Sequence, residues 1–232
     1  MKTTPFLVAL AGCVLTATVA TTAEKKFASN FIVPASEWSS MCSNAYFILE
    51  PGYTLEFDAN ENGKKVHLVI AVLNETVKIG GVETRVVEER ETTDGQLSEL
   101  ARNFFAASTK TKDIYYFGED VDTYENGKLA GHGGSWRAGV NLAKYGLMMP
   151  GTPSVGMRYY QEVAGKVARD RAEIVSLTES IVVPAGKFTN CLKTEETTPL
   201  EKGAPAYKFY APGVGLIKDG AMELIRNGSV LK

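Results

Sequence analysis

The chain has 232 residues, of which 44% are hydrophobic and 22% charged, and its formal net charge is −2. That balance supplies a core and excludes an intrinsically disordered chain. Basic and acidic residues are interspersed with no lysine- or arginine-rich stripe, which argues against a phosphate-binding surface and against nucleic acid as a partner.

At the N-terminus, Lys2 is followed by the apolar run PFLVALAGCVLTATVA. A short apolar stretch closed by small residues predicts a signal peptide over residues 1–23, cleaved after Ala20 or Ala23, and hence export to the periplasm or beyond the cell. Leu10-Ala11-Gly12-Cys13 also matches a lipobox, in which Cys13 is acylated and anchors the protein to a membrane. Past this segment no apolar run approaches the ~20 residues of a bilayer-spanning helix, so no transmembrane span is expected in the mature chain. Residues 24–232 read as one antiparallel β domain, with no linker dividing them. They retain Cys42 and Cys191, and an even pair in an oxidising compartment points either to a disulfide or to two buried free thiols.

From Tyr53 onward the signals are those of hairpins. Asn62-Gly63 and Asn126-Gly127 sit in two copies of an ENGK turn, and Gly80-Gly81 and Asp94-Gly95 punctuate the chain in the same way. Asn-Gly suits a type I′ turn because both central residues need positive φ. In KKVHLVIAVL both alternating faces are apolar, which predicts a central strand covered on both sides. VETRVVEERE is more mixed and reads as half-exposed, while LSELARNFFAAS is ambiguous between strand and helix. Residues 137–157, rich in glycine and proline, read as the one long loop, and long loops in compact domains are often functional. The last third reads as long strands joined by Pro-Ala-Gly and Pro-Gly turns.

That last third carries a resemblance. VVPAGKF at 182–188 and YAPGVGLIK at 210–218 resemble the P-A-G-x-F turn and Y-A-P-G-V-G-L-V-K segment of a bacterial exported domain-of-unknown-function family. ILEPGYTLEF is similar to that family's first strand, and YYFGEDVDTYENGK and MMPGTP resemble features of one subgroup. The family in turn resembles the curved half-barrels of the LolA lipoprotein carrier and of VioE. The resemblance implies a concave apolar face able to hold an acyl chain and carries no catalytic residues with it. The fold expected is therefore mainly β: a single curved antiparallel sheet, half-barrel or open barrel, of about ten strands with one long loop and little helix.

Motifs that carry chemistry are sparse. A packed core position accounts for His67. His132 lies beside Ser135, but GGSWR lacks the strained nucleophile turn of a serine hydrolase. Asp120, Asp122, Glu125 and Asn126 have the wrong glycine spacing for a calcium loop. Met148 and Met149 lack the neighbouring histidine or cysteine of a copper site. Asp170, Arg171 and Glu173 read as a solvent-facing ion-pair ladder. No phosphate cradle occurs, and no cofactor is expected. Three classes of function stand: binding of a lipid or apolar small molecule, with Trp136, Tyr145, Met148 and Met149 at the mouth of the site; an interaction module for other envelope proteins; and a hydrolase whose carboxylates converge only in three dimensions.

Overall fold

The computed structural model describes residues 26–229; the expected signal peptide over residues 1–23 and Cys13 lie outside the described residues. A 3-10 turn at Ala35–Glu37 leads into β1 (Trp38–Ser39) and the small hairpin of β2 (Cys42–Asn44) and β3 (Phe47–Leu49). A meander follows: β4 (Tyr53–Glu61), β5 (Lys64–Ile79), β6 (Val82–Thr93), β7 (Gln96–Ser108), β8 (Ile114–Glu125) and β9 (Lys128–Gly131). The expected turns organise it. Asn62-Gly63, Gly80-Gly81, Asp94-Gly95 and Asn126-Gly127 have positive φ at both positions, between 50° and 89°, the geometry that matches strand twist across a two-residue hairpin.

β10 (Trp136–Arg137), β11 (Lys144–Met149), β12 (Arg158–Tyr160) and β13 (Glu162–Val163) are short. The last third forms β14 (Arg171–Val183), β15 (Gly186–Thr197), β16 (Ala206–Ala211), β17 (Gly215–Asp219) and β18 (Met222–Ser229). All but β2 and β3 join one sheet, ordered β12-β14-β15-β16-β17-β18-β4-β5-β6-β7-β8-β11-β13, with β1, β9 and β10 paired at its margin. The path is longer than the ten or so turn-delimited segments of the sequence because two- and three-residue strands carry no turn signal of their own.

The two ends of this path are consecutive pieces of one segment. Arg158–Tyr160 pairs with β14, and Glu162–Val163 pairs with β11 (Lys144 opposite Val163, Tyr145 opposite Glu162). The curved sheet is therefore nearly closed as a barrel, with a seam where the chain bends at Gln161. Gly146 makes the seam fit: a Cβ at that position would stand 2.4 Å from the Tyr160 carbonyl oxygen and 2.5 Å from that of Gln161.

Two expectations need correction, and one ambiguity is resolved. The segment 137–157 is not one long loop, because its centre is β11, hydrogen-bonded to β8. Its glycine, which looks like a strand breaker, is the residue that admits the neighbouring backbone. The ambiguous LSELARNFFAAS is strand β7, apolar on both faces where it approaches β8. Asp170, Arg171 and Glu173 do not form a solvent-facing ladder: Glu173 is buried and pairs with Arg158 at 2.7 Å across β12 and β14.

The seam generates a direct test. Gly146→Ala should destabilise the fold by about 3 kcal/mol or more, because backbone must move to admit the methyl group. Gly133→Ala, where a Cβ meets nothing within 4 Å, should be near neutral. Urea denaturation of both variants checks this, and equal midpoints would show that the seam does not hold the barrel.

Candidate functional site

Pairing register sets the polarity of the barrel interior. Across β5 and β6, Val72 faces Val87, Ile70 faces Glu89 and Leu68 faces Glu91. Across β6 and β7, Val87 faces Asn103, Glu89 faces Ala101 and Glu91 faces Glu99. Side chains two apart share a face, so the inward row runs from mostly apolar at one end, with Asn103 its polar member, to carboxylate-rich at the other. Between them lies a cavity of about 120 Å³. Its walls include Leu55, Ile70, Val72, Val87, Phe105 and Leu216, and its polar lining includes Glu89, Lys208, Tyr210 and Asp219.

The β2–β3 hairpin stops the apolar end. Tyr46, Phe47 and Ile48 project into the cavity lining, and Phe47 meets the Phe105 ring edge-on at 5.0 Å. The APGVG turn between β16 and β17 holds this plug: the Gly213 N–H donates to the Ala45 carbonyl at 2.7 Å, and the Tyr53 hydroxyl donates to the Val214 carbonyl at 2.8 Å. The motif thus serves the cavity mechanically, by placing a lid hairpin over it.

The other end opens into a cleft of about 390 Å³ lined by Glu61, Glu89, Glu91, Glu99 and Asp219, with Leu68 and Met222. Lys208, on β16, is the basic residue at the junction. Its Nζ lies 3.2 Å from Glu196 and 3.3 Å from Asp219. The Glu196 carboxylate holds the ammonium charged, well above its ordinary pKa, against the opposing effect of burial. Burial pushes the Glu89 carboxyl up, partly offset by Lys208. Glu99 is raised for the same reason, with the charge of Glu91 adding to it.

Carboxyl groups continue beyond the cavity, toward the seam. Burial, with charge from Glu89 and Glu99, pushes Glu119 up to about 7. Burial likewise pushes Glu162 up to about 8, despite the Asp170 N–H that donates to it. Gln161 binds Glu196 at 3.3 Å and reaches the Met148 sulfur at 3.6 Å, linking the seam to the cavity wall. The Tyr159 hydroxyl is buried with no hydrogen-bond partner among the described residues. Among those residues no three His, Cys, Asp or Glu side chains converge as metal ligands would.

Of the residues nominated from sequence, Met148 lines the cavity. Trp136 is buried, sits opposite Glu119 on β8 and packs edge-on to Tyr116 at 5.2 Å, but does not reach the cavity. Tyr145 and Met149 do not line this cavity. Tyr145 belongs to an outer aromatic cluster, stacked on Phe117 at 4.7 Å and edge-on to Trp38 at 5.6 Å. Met149 is wholly buried in the main core. Tyr145 stands three residues before Met148, on the other side of the pleat, and Met149 follows a register shift between Leu147 and Met149. Cys42 and Cys191 are buried free thiols and form no disulfide: Cys42 packs in the main core and Cys191 in a second one under the β14–β15 hairpin. His67 is not a core residue; it is half-exposed and bonded to Asp58 at 2.7 Å. Ser135 uses its hydroxyl oxygen to accept the Val121 N–H, while His132 bonds Asp122. Glu89, Lys208 and Asp219 were missed, since nothing in VEERE or KDG marks which carboxylates turn inward.

No protein-family model, curated protein or solved structure matches the chain. No helix among the described residues is long and apolar enough to cross a membrane.

The buried carboxyls have a thermodynamic signature. An acid whose folded pKa exceeds its unfolded value takes up a proton on folding, so its contribution to stability is full below the unfolded value and is lost as pH rises through the folded one. With Glu119 near 7 and Glu162 near 8, the melting temperature should fall between about pH 5 and about pH 8.5. Glu162→Gln keeps the acceptor for Asp170 and should flatten that slope. An unchanged slope in calorimetry would show that Glu162 titrates normally.

Proposed function

We propose that this protein is an exported envelope protein that binds a small apolar or amphipathic molecule inside its β-barrel, without catalysing a reaction on it. The observation that carries the reading is the cavity of about 120 Å³ between the β2–β3 plug and the acidic cleft. Most of the cavity wall is apolar, so a ligand seated there removes apolar surface from water. The resemblance to LolA-like half-barrels supports the same use of a concave apolar face. Charged groups at one end of an apolar chamber give a bound molecule a fixed orientation.

Mass spectrometry of natively purified protein, before and after organic extraction, should return a small apolar or amphipathic compound in near-stoichiometric amount. Val87→Phe, which fills the chamber, should lower that retention about tenfold or more while the barrel stays folded by circular dichroism. A wild-type protein that is empty, and whose melting temperature does not respond to benzyl alcohol, would overturn the reading.

A second reading, an interaction module, draws on one surface feature. Ile32 and Leu142 are 96% and 93% exposed, and Ile32 borders an outer groove formed with Phe31, Trp38, Ala138 and Tyr145. Ile32 and this groove form contiguous exposed apolar surface, the kind that marks an interaction site. Replacing both with lysine should abolish envelope cross-links; cross-linking that persists unchanged removes this reading.

A further inference from the structure

Resting on the luminal reading, we infer that the bound molecule is a small cationic amphiphile: an apolar body seated between Val72, Val87 and Leu216, with a protonated amine held at Glu89 and Asp219. Size comes first. A cavity of about 120 Å³ is slightly smaller than the ~150 Å³ apolar cavity that takes benzene. One ring or a short alkyl chain fits, and a full-length acyl chain does not.

Charge complementarity fixes the other end. Five carboxylates line the cleft next to the cavity, and no basic side chain lines it. Leu68, Glu89 and Asp219 border both spaces, so the apolar chamber opens directly onto this acidic surface. Lys208 is the one basic group lining the cavity, and Glu196 and Asp219 already hold it from 3.2 and 3.3 Å. An anionic headgroup would therefore meet no uncommitted cation and several carboxylates. A cationic headgroup meets Glu89, which faces the cavity and makes no hydrogen bond with another described residue. Desolvation raises the Glu89 pKa and Lys208 offsets it only in part, so a further cation beside this carboxyl would favour its charged form.

An inorganic cation fits less well. The carboxylates are spread along successive strands rather than gathered, and no group of three ligands converges among the described residues. Divalent ions need several oxygens within ~2.6 Å, whereas an ammonium on an apolar stem needs one or two acceptors beside an apolar wall. The register supplies that arrangement in one row: Val72 beside Val87, then Ile70 beside Glu89.

Methyl-resolved NMR titration of the full mature chain with benzylamine, benzyl alcohol and benzoate tests this. All three share a ring and differ in the charge of the head. Benzylamine should shift the Ile70, Val72, Val87 and Leu216 methyls and bind about tenfold or more tightly than benzyl alcohol, with benzoate weakest. Glu89→Gln should reduce benzylamine to the affinity of benzyl alcohol and leave benzyl alcohol unchanged. Glu88→Gln, one residue away on the opposite face of β6, should keep the preference and controls for general attraction to an acidic protein. Equal binding of amine and alcohol, or a preference that survives Glu89→Gln, overturns the cationic headgroup and leaves the luminal reading standing. If none of the three probes moves the cavity methyls, the luminal reading fails and this inference fails with it.

Discussion

Gly146 lies against the backbone of Tyr160 and Gln161, closer than any side chain would permit, and the interior of the protein depends on that contact. The segment on the far side of it is hydrogen-bonded to β14 through Arg158–Tyr160 and to β11 through Glu162–Val163. Separated, these would be two open edges with unpaired N–H and C=O groups, a template for association with other chains. Brought together, they turn a long antiparallel sheet into a near-closed barrel and give its concave face an inside. Gln161, at the bend, carries the effect inward by bonding Glu196, which in turn holds Lys208.

The interior that results is chemically lopsided. Burial near β8 and the seam raises Glu119 and Glu162, and burial raises Glu89 beside the cavity, while Lys208 stays charged between two carboxylates. A buried charge is tolerated when it is paired and destabilising when it is not. Lys208 satisfies that condition with Glu196 and Asp219, whereas Glu89 has only the partial offset that Lys208 supplies. An apolar chamber that ends in unneutralised carboxyl groups follows from the same pleat that builds the walls, since Val87, Glu89 and Glu91 occupy one face of one strand.

The motifs that stand out in the sequence turn out to be structural supports for this chamber. APGVG bends the chain between β16 and β17 and presents Gly213 and Val214 to the plug hairpin and to Tyr53. Pro-Ala-Gly closes the β14–β15 hairpin, whose tip is tied to β18 by the Ala185 N–H donating to the Leu224 carbonyl at 2.9 Å. Neither motif contributes a reactive group; both position backbone.

Local chemistry was legible without a structure. Asn-Gly, Asp-Gly and Gly-Gly pairs specify positive φ at adjacent residues, so the four hairpins and the antiparallel character follow from neighbouring residues alone. Met148 could be nominated because a large apolar residue beside glycine and proline is conspicuous, and Tyr145 and Met149 were nominated for the same reason, although Tyr145 joins an outer aromatic cluster and Met149 packs in the main core. What only the tertiary structure decided is which face of each strand becomes the inside. In VEERE, Glu88, Glu89 and Glu91 are chemically alike, and alternation separates them only once register and curvature are fixed by strands distant in sequence. The closure at Gly146, the free state of Cys42 and Cys191, and the meeting of Glu89 with Lys208 and Asp219 are likewise long-range. Each depends on distances between residues that share no local pattern, and a one-residue shift in register would reverse every one of those inward and outward assignments.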